Sequence, residues 1–153
     1  MQALELKIPP PLITLVTGSA MWGISLFTPS MDIPGVLHVS LVAAVAMIGM
    51  VFALAGIVSF RVAKTTINPH RPEKAAALVC NGIYKITRNP MYVGLVFTLI
   101  AWAIFLSSRW SLLGVVAFVL YIGRFQIGPE ERALEAIFGR DYLEYKARVR
   151  RWL

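Results

Sequence analysis

Four long apolar runs, joined by short polar segments, constrain this chain more than anything else in it. They cover about residues 12–27, 35–60, 90–107 and 110–127. A helix needs about 20 apolar residues to cross a hydrocarbon core about 30 Å thick. The second run exceeds that length, the third and fourth approach it, and the first is short. In lipid the backbone must satisfy its own polar groups, which a helix does within one segment. The expected fold is therefore all-α: an integral membrane bundle of about four transmembrane helices in a single domain, residues 1–153. Composition agrees, with 58% hydrophobic and 15% charged residues, against about 25% charged in soluble domains.

The charges lie almost entirely in the joints. Arg61, Lys64, Arg71, Lys74, Lys85 and Arg88 fall in the segment 61–89 between the second and third runs. Arg124, Arg132, Arg140, Lys146, Arg148, Arg150 and Arg151 accompany or follow the fourth, and Lys7 precedes the first. On a four-span reading, 14 of the 15 Lys and Arg residues share one side, with Arg109 alone opposite. The positive-inside rule places that side, both termini included, in the cytoplasm, so a bacterial host would carry the protein in its inner membrane. The net charge of +7 then reads as topology and as attraction to anionic headgroups; no aromatic-basic pattern of a nucleic-acid module accompanies it. Three consecutive prolines, Pro9–Pro11, and the lack of a small-residue exit argue against a cleaved signal peptide. Cys80 is the single cysteine, and His38 and His70 stand far apart, so neither a disulfide framework nor a metal site is expected.

Two polar segments are too specific for mere boundaries. "ITRNPMYVG" (86–94) crowds Arg88, Asn89, Pro90 and Tyr92 at the start of the third run. Proline suits a first helical turn, where its missing N–H costs nothing. The second segment, "PEERALEAIFGRDYLEYKARVRRWL", opens with Pro129, Glu130 and Glu131 just past the fourth run. Its apolar residues Leu134, Ile137, Phe138, Tyr142, Tyr145 and Val149 recur at three- and four-residue spacing. That period predicts a cytoplasmic amphipathic helix over 129–152, with acidic residues at its start and bases at its end, as the helix dipole favours. A surface helix anchored by Trp152 would account for the tail alone. It does not account for a cationic doorstep and a dianionic one reaching the same level of the bundle.

Together, "GIYKITRNPMYVG" (82–94) and "EERALEAIFGRDYLEYKARVRRW" (130–152) resemble the isoprenylcysteine carboxyl methyltransferase and phospholipid methyltransferase group. These are integral membrane enzymes dependent on S-adenosylmethionine. The group's pattern is Arg-His-Pro-x-Tyr, a helical hairpin, a Glu-Glu pair and a Phe-Gly-x-x-Tyr-x-x-Tyr helix. "KTTINP" (64–69) also resembles its upstream loop, so the likeness covers roughly residues 60–152. One position departs: Asn89 stands where histidine is usual. An amide donates and accepts hydrogen bonds as a neutral imidazole does, but it does not titrate.

The resemblance implies a cofactor site built from the cytoplasmic ends of the last two spans and the tail. Tyr84, Arg88, Asn89, Pro90 and Tyr92 would line one wall; Glu130, Glu131, Phe138, Tyr142 and Tyr145 would supply the other. Carboxylates can accept from ribose hydroxyls or an ammonium, an arginine can pair with the donor's carboxylate, and aromatics can stack adenine or face a sulfonium. No Gly-rich nucleotide fingerprint follows a strand, so a Rossmann-type site is not expected. The implied activity is methyl transfer from S-adenosylmethionine to a lipophilic or amphiphilic acceptor (carboxylate, thiol or lipid amine), with membrane lipid as partner and no catalytic base assigned. The competing reading is a four-span glutathione-dependent enzyme. A small multidrug transporter would need a carboxylate inside a span, and spans one to three contain none.

Overall fold

A computed structural model describes residues 5–63 and 78–153. The motif "KTTINP", together with His70, Arg71 and Lys74, lies outside the described residues. Among the described residues, six α-helices follow in order: α1 (Pro10–Leu26), α2 (Gly35–Val62), α3 (Pro90–Phe105), α4 (Leu112–Ile122), α5 (Gly128–Phe138) and α6 (Arg140–Arg148). Short 3₁₀ turns at Gly82–Lys85 and Arg109–Ser111 lead into α3 and α4, and a π-turn at Gly123–Ile127 joins α4 to α5. No strand occurs among the described residues. Prolines set the helix starts: Pro10 and Pro90 occupy first-turn positions, and Pro34 immediately precedes α2.

Two helical stretches, Gly35–Val62 and Arg109–Phe138, are long and apolar enough to cross a bilayer, while α1 and α3 are shorter apolar helices. Large apolar side chains point outward from several of them, among them Leu15, Val16, Val36, Val39 and Leu120. Such a surface is untenable in water and ordinary against acyl chains.

The central helix is α3, which packs against α1, α2 and α4. Although α1 and α2 are consecutive, α1 packs on α3 and α4, and α2 pairs with α3. Of α2, only Gly49 and Gly56 are fully buried. Their spacing predicts close approach of another helix, and α3 is the helix that approaches. A Cβ on Gly94 would stand 2.8 Å from the Gly49 carbonyl oxygen and 3.0 Å from the Ala53 Cβ. A backbone atom cannot swing aside, so Gly94→Leu is expected to lower stability by about 1–3 kcal/mol. Thermal unfolding in detergent should show a clearly lower midpoint than for Gly23→Ala, whose new methyl would meet nothing within 4 Å. Equal midpoints for the two variants would contradict the α2–α3 contact.

Two polar side chains inside the bundle are paired across helices. Trp102 Nε1 donates to the Gly18 carbonyl (3.0 Å) and Ser111 Oγ to that of Met21 (2.9 Å). Between α1 and α2, over the C-terminal half of α3, an open groove of about 550 Å³ is lined by Leu15, Gly18, Trp22, Val42, Trp102 and Phe105 among others.

The tail differs from the single helix expected over 129–152. At Gly139, φ is +50°, a conformation open to glycine, and the chain turns there. Helix α5 therefore continues the fourth apolar helix, α6 folds back on it, and α6 ends at Arg148 with Val149 extended. Trp152 packs against the bundle core.

Candidate active site where the start of α3 meets the tail

The site forms where the entry to α3 meets α5 and the folded-back tail. Gly82, at φ +62°, opens the 3₁₀ turn that buries Tyr84. Pro90 then starts α3, leaving Arg88 and Asn89 just before the helix and Tyr92 in its first turn. Residues 87–89 and 150–151 run side by side. The Arg88 N–H donates to the Arg150 carbonyl at 3.0 Å. Both Thr87 Oγ1 (3.2 Å) and Asn89 Nδ2 (2.9 Å) donate to the Arg151 carbonyl.

That strap delivers Arg151 to Glu131. Arg151 grips the carboxylate with two bonds, Nε to Oε1 at 3.0 Å and Nη2 to Oε2 at 2.5 Å. Arg88 Nη2 reaches Glu131 Oε1 at 3.0 Å from the other side. The side chains of Arg88 and Glu131 are each only 9% exposed, against 42% for Arg151. Paired guanidinium and carboxylate groups in such a setting are strongly coupled. Arg88 also reaches the Lys146 carbonyl through Nη1 at 3.4 Å, while its Nε is buried without a hydrogen-bond partner among the described residues.

Beside the triad, Tyr92 Oη donates to Glu130 Oε1 at 2.5 Å. Glu130 lies three residues beyond the apolar stretch that ends at Ile127. Parts of the residue reach solvent, but its carboxyl is enclosed by protein. Burial pushes its pKa up to about 8; the charge of Glu131 adds to the rise and the Tyr92 hydrogen bond opposes it.

Tyr84, Tyr142 and Tyr145 form a second, smaller core, against which Phe60, Leu134 and Phe138 pack. Tyr145 Oη donates to the Tyr84 carbonyl at 2.8 Å. Burial raises the pKa of Tyr84 and Tyr145 and pushes that of Tyr142 up to about 12, so all three are neutral phenols at ordinary pH. The structure therefore brings together Arg88, Asn89, Tyr92, Glu130 and Glu131, with Pro90 buried beneath them against Gly56. It places Tyr84, Phe138, Tyr142 and Tyr145 in the aromatic cluster alongside. Two participants were absent from the sequence-based set: Arg151, which reads as one base among several in "RVRRW", and Thr87, fully buried. A signal for Arg151 existed in the unpaired surplus of bases near the Glu pair, but nothing in its spacing separated it from Arg148 or Arg150. Among the described residues, no group of three or more potential metal ligands occurs.

The sequence pattern of the phospholipid methyltransferase family matches residues 37–141, more than half of the chain. The chain belongs to that family. The match spans α2 through the break at Gly139, and so includes both glutamates, Arg88 and Tyr92. The chain is also 48% identical over 63 residues, 41% of its length, to the whole of an uncharacterized protein of Haemophilus influenzae. It is 35% identical over 82 residues to protein-S-isoprenylcysteine O-methyltransferase B of Arabidopsis thaliana, covering 52% of this chain and 40% of that enzyme. A probable protein-S-isoprenylcysteine O-methyltransferase of Oryza sativa matches at 35% over 75 residues, 47% of this chain and 38% of the plant protein. The chain thus spans about two fifths of the plant relatives' length. No solved structure matches.

Proposed function

We propose that the protein is a multi-pass membrane methyltransferase that binds S-adenosylmethionine at the inner end of its bundle and methylates a lipophilic or amphiphilic acceptor. The observation that carries this reading is the meeting of Arg88, Arg151, Glu131 and the Tyr92–Glu130 pair at one level, in a chain of this family. The residues suit the donor chemically. Two guanidiniums meet at the Glu131 side chain, and the buried Arg88 Nε has a donor to spare for an amino-acid carboxylate. Glu131 and Glu130 can accept from an ammonium or ribose hydroxyls. The Tyr84, Tyr142 and Tyr145 rings are buried against one another and back the site with a firm apolar wall. When bound, S-adenosylmethionine supplies an already activated methyl group on a sulfonium. The chain's own residues then have to orient the reactants and keep water out. Buried Tyr92 and the surrounding aromatic cluster serve the second task.

The lipophilic acceptor is inferred from the apolar surface and from the groove between α1 and α2. At 1.5 Å per residue along α3, the groove begins at Thr98, about 9 Å from Tyr92. A chain lying in it could present a head group to the site. Carboxylate and thiolate acceptors need no proton removed, and an amine would.

Binding of S-adenosylhomocysteine to the detergent-purified protein, with glutathione as the comparison, tests the reading. Saturable binding of the former alone is expected, and binding of glutathione alone would replace this reading with a glutathione-dependent enzyme. Four spans with both termini cytoplasmic follow from the distribution of bases. Thiol labelling in intact cells should therefore mark Met31→Cys from outside and leave Arg150→Cys protected.

A further inference from the structure

The apolar helix that begins at Arg109 does not reach the glutamates as a plain α-helix. Its buried positions Ser111, Val115, Phe118 and Ile122 step by four, three and four residues, as an α-helix requires. Continued at about 100° per residue, Glu130 would stand about 80° away from Ile122 and Glu131 about 180° away, facing outward. Instead, the N–H of Gly128 bonds to the Gly123 carbonyl five residues back, closing a π-turn. Such a turn takes in one extra residue, so everything beyond it is rotated back by about 100°. Glu130 returns to the line of Ile122, and Glu131 comes round to the side on which Arg88 and Arg151 stand.

The cause is in the sequence. Pro129 lies within this continuous helix, lacks an N–H, and would crowd the carbonyl of Phe125 four residues back. That carbonyl is bonded elsewhere, to the N–H of Leu6 at 3.1 Å. Gln126, fully buried, donates through Nε2 to the Ile8 carbonyl at 2.8 Å. Arg132 pairs with Glu5 at 2.6 Å. The segment 5–8 is thus stapled across the turn from one side to the other.

We propose that this π-turn sets the helical phase of Glu130 and Glu131, and that Pro129, Gln126 and the segment 5–8 act as positioning residues for the donor site. The inference rests on the functional reading above only in what the glutamates bind. The phase itself is a geometric claim.

Two length changes separate it from the alternatives. Deleting Arg124, exposed within the turn, removes the extra residue and leaves the glutamates in phase, because the Phe125 carbonyl opposite Pro129 is already turned to the Leu6 N–H and the ring fits without the wider turn. Inserting one alanine between Arg124 and Phe125 adds a residue that the turn cannot absorb and rotates them by about 100°. Affinity for S-adenosylhomocysteine should stay within about threefold on deletion and fall more than about tenfold on insertion, the scale of a lost charge-assisted hydrogen bond.

A second readout needs no ligand. In a Cys80→Ser background, Glu5→Cys and Arg132→Cys should be joined by a short bifunctional thiol reagent in the parent and in the deletion variant, and not in the insertion variant. Cross-linking lost on deletion overturns the proposal, and so does cross-linking kept on insertion. If the parent binds no S-adenosylhomocysteine while the cross-linking follows the expected pattern, the donor reading fails and the phase inference stands.

Discussion

Glu131→Gln is expected to be the most damaging single-atom change in this protein. Three charge-assisted bonds end on that carboxylate, two from Arg151 and one from Arg88. An amide offers one acceptor oxygen and no charge, so two guanidiniums would face a neutral group, one of them almost wholly buried. Removing one partner of a buried pair costs about 3–5 kcal/mol, because the charge left behind has no compensation. The expected results are a much lower thermal midpoint and, measured well below that midpoint, affinity for S-adenosylhomocysteine reduced about ten- to a hundred-fold. Arg88→Ala should approach both effects. Arg151→Ala should cost less stability, since its side chain is 42% exposed and solvent already screens it. Arg61→Ala, an exposed base at the end of α2, should change neither quantity. Wild-type stability in Glu131→Gln would mean that the triad does not form.

The bundle was largely legible because its signals are local and repeated. Long apolar runs bounded by prolines mark α1, α2 and α3 to within about two residues, and the Gly49/Gly56 spacing marks the face of α2 that another helix approaches. The pairing of Arg88 with the Glu-Glu segment could also be anticipated, since both stand at the same end of adjacent runs. What remained hidden depends on contacts between segments distant in sequence. The register of the strap is set by the Asn89 amide and the Thr87 hydroxyl meeting the Arg151 carbonyl, and no periodicity encodes that meeting. It gives the Asn89 departure a physical account, for an amide N–H suffices to hold a carbonyl where titration has no part.

The tail shows a different limit. Its apolar spacing fits one helix from 129 to 152, and the break at Gly139 falls between two segments of compatible period. Only the positive φ adopted there separates them, and an isolated glycine does not announce whether it will use that freedom. Likewise Pro129 reads naturally as a helix start. The structure uses it inside a continuous helix, where it frees the Phe125 carbonyl and widens the turn.

Glu130 carries the second large effect, through pH. Its folded-state pKa, pushed up to about 8 chiefly by burial, lies above the ordinary carboxyl value of 4.5. Between those values the folded protein holds a proton that the unfolded chain has released. Stability from this group is therefore full below about pH 4.5, declines as pH rises through the window, and is lost above about pH 8. Glu130→Gln keeps the shape and stays neutral throughout. Its thermal midpoint should be close to that of the parent at pH 5 and higher at pH 9, so the difference between the two proteins grows with pH. An uncharged amide can still accept from Tyr92, which limits the loss of packing around the pair. Donor binding should separate along the same axis. If the ionised form of Glu130 holds the ammonium or a ribose hydroxyl of the donor, parent affinity for S-adenosylhomocysteine rises between pH 6 and 9, while that of Glu130→Gln does not. A flat stability difference across the window would show that the carboxyl is hydrated and titrates as an ordinary glutamate. A rising difference in stability with flat binding would keep Glu130 as a buried neutral partner of Tyr92 and leave Glu131 as the carboxylate that meets the donor.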